Sequence, residues 1–194
     1  MTISEPMTLL TDYLLAAVSA WLAWRLRGLQ PRARHWWSIA FASLALGALL
    51  GGTWHGMLHS TLVWKATLLC VGVASFAMVA GSAFATFSGR ARDAVLWIAG
   101  AKLVFYWWWM LGHDEFIYVV LDTGIGFAAV AAMHLWRWNG WIVAGVVVSV
   151  GAALVQASGV RLHEHFNHND LYHVIQIAAM LLFYRGARAL VDGG

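Results

Sequence analysis

The chain has 194 residues, of which 61% are hydrophobic and only 11% charged, with 13 tryptophans and a formal net charge of +3. A soluble domain of this length needs far more charge to cover its surface, so the composition excludes that class and leaves a multi-pass membrane protein. The basic balance does not point to nucleic acid, because the arginines flank apolar runs instead of forming a patch.

With about 20 apolar residues per spanning helix, the length allows roughly seven short-looped spans. In chain order they are expected at 7–26, 36–58, 63–87, 93–111, 116–136, 141–159 and 170–190. The opening MTISEPM lacks a basic n-region, so the first span is expected to be retained. Pro6 and Pro31 fall outside the spans, which predicts no proline kink. The whole chain, 1–194, reads as one all-α domain, a seven-transmembrane-helix bundle. Cys70 stands alone and excludes an internal disulfide or a multi-cysteine metal site; it reads as a packing residue.

Direction follows from the basic residues. Arg25, Arg27, Arg32 and Arg34 fill the first link, Arg90 and Arg92 the third, Arg137 the fifth, and Arg185 and Arg188 the C-terminus. These connections share one end, expected to be cytoplasmic, so the N-terminus is expected outside and the protein in the plasma (inner) membrane. The other end carries Glu5, His113, Asp114, Glu115 and RLHEHFNHND, with only Arg161 breaking the asymmetry.

That orientation brings distant polar groups to one depth. His55 and His59 close span two in WHGMLHSTL, His168 and His173 open span seven, and Asp12 lies near the outer start of span one. On a helix, positions i and i+4 share a face, which predicts His55 beside His59 and Asn169 beside His173, with Asp170 joining that face. Imidazole and carboxylate both bind zinc, and three protein ligands plus a water make the usual catalytic site. Zinc lowers the pKa of its water to about 7 and polarises a carbonyl, which suits hydrolysis. A Ser60 or Thr61 hydroxyl is placed to orient that water, and Asp12 to hydrogen-bond a ligand histidine and fix its tautomer. The alternative is that these groups are interfacial, bonded to headgroups and backbone carbonyls, and cap span seven.

HGMLHSTL together with NDLYHVIQ at the last span resembles the superfamily of alkaline ceramidases and progestin-and-adipoQ receptors. That pattern has a Ser four residues before a span-two His, a following Thr-Leu, an Asp eleven residues after the His, and His-x-x-x-His opening the last span. Here His59 with Thr61-Leu62 matches the span-two element, and His173 matches the second histidine of the last-span pair. His55 stands in the Ser position, Cys70 in the Asp position and Asn169 in the first last-span His position. The resemblance implies a seven-span, zinc-dependent hydrolase of a lipid amide or ester, with membrane lipids as its surroundings and a lipid-like substrate. The altered positions imply a rearranged metal set of His55, His59 and His173, with His168, Asp170 or Asp12 in support.

Two other classes fit the residues. One is a redox protein holding haem between His59 and His173. The other is a non-catalytic receptor or sensor that keeps the fold and has lost the ligands. A di-iron hydroxylase needs about eight clustered histidines and is set aside. Elsewhere, Lys102 in span four and Asp122 in span five fall at similar depth and are expected to form a buried ion pair, or else a proton relay. Gly47, Gly51, Gly52 and Gly56 predict close helix approach along span two. His163 and His165 read as surface residues. Trp36, Trp37, Trp107 to Trp109, Trp136, Trp138 and Trp141 read as interface belts.

Overall fold

A computed structural model of the chain describes residues 3–28, 31–164 and 166–193. They form seven helices: α1 (Pro6–Leu26), α2 (Arg32–Gly56), α3 (Thr61–Thr86), α4 (Gly89–Gly112), α5 (Phe116–Trp136), α6 (Gly140–Ser158) and α7 (His168–Arg188). The all-α expectation holds, and each helix falls within several residues of its expected span. Helices α1 to α6 are long and apolar enough to cross a membrane, which suggests a membrane protein. α7 has the length of α1, but Asn169, Asp170, His173, Gln176 and two arginines make it less apolar.

Six helices close a ring in which each packs on the next: α1, α2, α3, α5, α6, α7 and back to α1. α4 lies outside this ring against α3, and it buries only Ala99, Tyr106 and Met110. Trp37, Phe41 and Phe183 fill the ring with Leu22, Ile142 and Met180, all nearly inaccessible. These residues belong to the half of the bundle nearer the arginines. A smaller cluster of Leu68, Tyr106, Met110 and Val119 joins α3, α4 and α5 towards the other end. Because helices in lipid associate by packing rather than by a hydrophobic drive, small residues set how close they come.

α2 shows this directly. Gly47 faces Cys70 of α3, whereas Gly52 and Gly56 face α1, where a Cβ on Gly52 would stand 2.8 Å from the Cβ of Asp12. The four-residue glycine spacing thus serves two neighbours, and Cys70 is a half-buried free thiol at the α2–α3 contact. Gly52→Ala would force α1 and α2 apart beside Asp12. Overpacking of this kind costs about 1–3 kcal/mol, to be read as a lower midpoint of thermal unfolding in detergent.

Polar clasps hold the outer helix and the ends. Lys102 of α4 bonds the Asp122 carboxylate of α5 and reaches Ser75 of α3 at 3.3 Å, so the expected ion pair is present. Lys65 donates to the carbonyls of Met110 (2.9 Å) and Leu111 (2.8 Å), capping the C-terminus of α4 with a cation. At the arginine-rich end, Asp192 accepts from the backbone N–H of Arg32 (3.1 Å) and Ala33 (2.9 Å), so the chain's tail caps the start of α2. Gly159 closes α6 at φ 66°, a left-handed conformation that glycine adopts without steric penalty.

Candidate functional site

The polar groups of α1 repeat at helical spacing. Thr8, Thr11 and Asp12 are all buried on the face that α1 turns to α7 and α2. α7 answers with Asp170 and His173, one turn apart and also buried. Thr8 donates its hydroxyl proton to Asp170 Oδ1 at 2.9 Å. Thr11 Oγ1 lies 3.0 Å from His173 Nδ1, and Asp12 Oδ1 lies 3.2 Å from His173 Nε2.

Counting protons shows what the centre needs. Thr11 has one hydroxyl proton, aimed at the carbonyl of Met7 (3.0 Å) or Thr8 (3.2 Å) along its own helix. Its oxygen is then free to accept from His173 Nδ1–H, which leaves Nε2 with a lone pair facing a carboxylate oxygen. Two lone pairs at 3.2 Å repel unless a proton or a cation sits between them. Two ligands about 2.0–2.1 Å from a tetrahedral zinc stand about 3.3 Å apart, so the spacing also suits a shared metal ion. The donor types fit zinc as well.

His55 occupies the same end. It lies in the last turn of α2, and its Nδ1 is 3.2 Å from Glu5 Oε2, yet this buried nitrogen has no hydrogen-bond partner. Ser4 folds the segment before α1 over this turn, bonding the carbonyl of His55 through its hydroxyl and that of Gly56 through its N–H. The rings of Trp54 and Trp64 lie 5.0 and 6.4 Å from His55, giving it an aromatic wall. His168 opens α7 half-buried, and its Nδ1 is likewise buried without a partner.

Two expectations about local geometry are corrected. His59 does not share a helical face with His55, because α2 ends at Gly56 and the N–H groups of Met57 and Leu58 both turn back to the Thr53 carbonyl. The physical cause is tertiary: Gly56 packs against Leu9 of α1, where a Cβ would meet Leu9 at 2.9 Å. His59 is instead exposed on the connection, 5.4 Å from the Trp54 ring, and Ser60 is exposed at the N-cap of α3. Nor does Asn169 open towards the cluster, whereas Asp170 does share the buried face of His173. Asn169 receives Gln156 of α6 at 3.2 Å. Asp170 has both oxygens filled, one by Thr8 and one by the Asn167 N–H at 2.7 Å in a capping box at the start of α7. The alternative reading, that this carboxylate caps the last helix, describes what it does.

Among the described residues, no three His, Cys, Asp or Glu side chains stand close enough together to hold a metal ion. His163 is exposed beside a short bridge to Phe166, and His165 lies outside the described residues. Sequence reasoning passed over three participants and one buried histidine elsewhere. Thr8 and Thr11 were visible as TLLTD, a polar stripe in an apolar span. Glu5 was noticed only as a charge. His134, fully buried with Nε2 3.0 Å from Ser82 Oγ near the opposite end, carries no local signal in its apolar surroundings.

The fold and cluster define an all-α bundle with a buried carboxylate–imidazole pair built from its first and last helices. A family profile covers residues 7–192, and the chain belongs to that family, DUF6962, a family of unknown function. No curated protein and no solved structure matches the chain.

Proposed function

We propose that this protein is a metal-dependent integral membrane hydrolase acting on a lipid-like amide or ester, with Asp12 and His173 as two ligands of a zinc ion. What supports this reading is the 3.2 Å approach of Asp12 Oδ1 to His173 Nε2 inside an apolar bundle. The third ligand is drawn from His55, whose Nδ1 faces Glu5 Oε2, and His168, whose buried Nδ1 has no hydrogen-bond partner. Either must move in, since no three such side chains stand together among the described residues. His59 and Ser60, exposed at the rim, are placed to meet a substrate rather than to bind the metal. Zinc, when bound, would supply Lewis-acid polarisation of the scissile carbonyl and a water acidic enough to attack at neutral pH.

The chain's own residues prepare that centre. Thr11 takes the Nδ1–H of His173 and so presents Nε2 inward, the usual arrangement for a metal-bound histidine. Thr8, Asp170 and Asn167 lock the first turn of α7 against α1 and set the position of His173. In this reading the arginine-rich end is cytoplasmic and the cluster lies just inside the outer leaflet of the plasma (inner) membrane, with α7 as the seventh span.

A second reading follows from the absence of a third ligand within reach among the described residues. There Asp12 and His173 share a proton, and the protein is a receptor-like, non-catalytic relative. The haem alternative has less support, since both ring nitrogens of His173 are engaged and His59 lies at the exposed rim.

Elemental analysis of the detergent-purified protein separates the first two readings. About one zinc per chain is expected in the hydrolase reading, retained in His59→Ala. Metal-free protein that stays folded would end the hydrolase reading and leave the shared proton.

A further inference from the structure

The arginine-rich end has more cation than it can neutralise. Its two acidic residues are already engaged: Asp93 pairs with Arg92 at 2.9 Å, and Asp192 caps α2. Arg185 lies over Trp141, with its guanidinium carbon 3.8 Å from the ring centre, and Arg188 lies over Tyr184 at 5.7 Å. Stacking fixes the plane of a guanidinium and leaves its N–H edge available to an anion.

Two adjoining grooves converge there. One, of about 630 Å³, is lined by Leu181, Tyr184, Arg185, Arg188 and Ala189. The other, of about 560 Å³, is lined by Arg137, Trp138, Trp141 and the start of α6, and meets the first at Ala189. Trp138 stands at its mouth, 92% exposed and at φ 55°, the only non-glycine left-handed residue among those described. A bulky side chain in that conformation is strained, and such strain persists where the surroundings hold the residue for a purpose. Above Arg185, the exposed Leu181 and Val174 continue the groove as an apolar track along α7.

We propose that these grooves seat one anionic phospholipid. Arg185 and Arg188 take its phosphodiester, Trp138 and Trp141 flank the glycerol region, and an acyl chain lies along Leu181 and Val174. The apolar track is what favours a lipid over a free phosphate, because a soluble anion has no use for it. Basic pockets between helices at this level bind anionic headgroups, at about 1 kcal/mol for each arginine.

The test is native mass spectrometry of delipidated protein titrated with phosphatidylglycerol and, separately, phosphatidylcholine. The wild type is expected to prefer phosphatidylglycerol. Arg185→Gln/Arg188→Gln is expected to weaken that binding about 30-fold, about 5-fold per arginine, and to leave phosphatidylcholine unchanged. Arg27→Gln/Arg90→Gln removes the same charge elsewhere at this end and is expected to change little. Equal weakening in both double variants would replace the seat with a diffuse field and overturn the proposal. So would a wild type without preference, or displacement of the lipid by millimolar inorganic phosphate.

Discussion

If the proposed zinc hydrolase reading holds, Asp12→Asn is expected to leave the protein without metal and without hydrolysis, with the fold retained. The substitution keeps the side chain's volume, which matters because Asp12 packs against the bare backbone of Gly52. It removes the negative charge that a cation between Asp12 and His173 requires. Losing a group that only orients a ligand costs about 10–100-fold, and losing a ligand costs more. Thr11→Val gives the graded control. It removes the hydroxyl that accepts from His173 Nδ1 while keeping a β-branched shape, so about 10–100-fold weaker metal affinity is expected. Zinc content by elemental analysis and hydrolysis of a panel of lipid amides and esters read both variants. A fully metallated, active Asp12→Asn protein would remove Asp12 from the ligand set.

The second large effect lies at Lys102 and Asp122. Lys102→Met leaves the Asp122 carboxylate buried without its counter-ion, and Asp122 Oδ2 already lacks a partner. Breaking one side of such a pair costs about 3–5 kcal/mol, or roughly 10 °C in thermal midpoint for a chain of this size. The double variant Lys102→Met/Asp122→Leu removes both charges and is expected to recover most of the loss. α4 packs on the ring mainly through α3, and the Lys102–Asp122 pair ties it to α5, so the single variant is also expected to loosen α4 first. Faster hydrogen exchange in Gly89–Gly112 than in the other helices would show it. Equal stability of the wild type and Lys102→Met would mean that the carboxylate is neutral there.

Much of the bundle was legible because lipid imposes a simple rule: a long apolar run is a helix. The runs at 7–26 and 116–136 reappear almost residue for residue as α1 and α5. The Lys102–Asp122 pair was legible from depth alone. The end of α2 was not. WHGMLHS carries no proline or strong stop signal, and the helix halts where Gly56 meets Leu9, a contact between distant segments. That one boundary sent His59 to the rim. Asp170 illustrates the opposite case. Asn167 and Asp170 spell an N-cap and its third helical residue, a pattern readable from the sequence, and one that uses the carboxylate a metal would need.

The joining of α1 to α7 has a consequence for how the protein is made. Asp12 enters the membrane with the first span, while His173 and Asp170 come from the last, more than 150 residues later. Until α7 has been translated, the Thr8 hydroxyl and the Asp12 carboxylate of α1 lack the Asp170 and His173 side chains that face them in the folded bundle. The same pair that would hold the metal ion thus records that synthesis has reached the seventh helix.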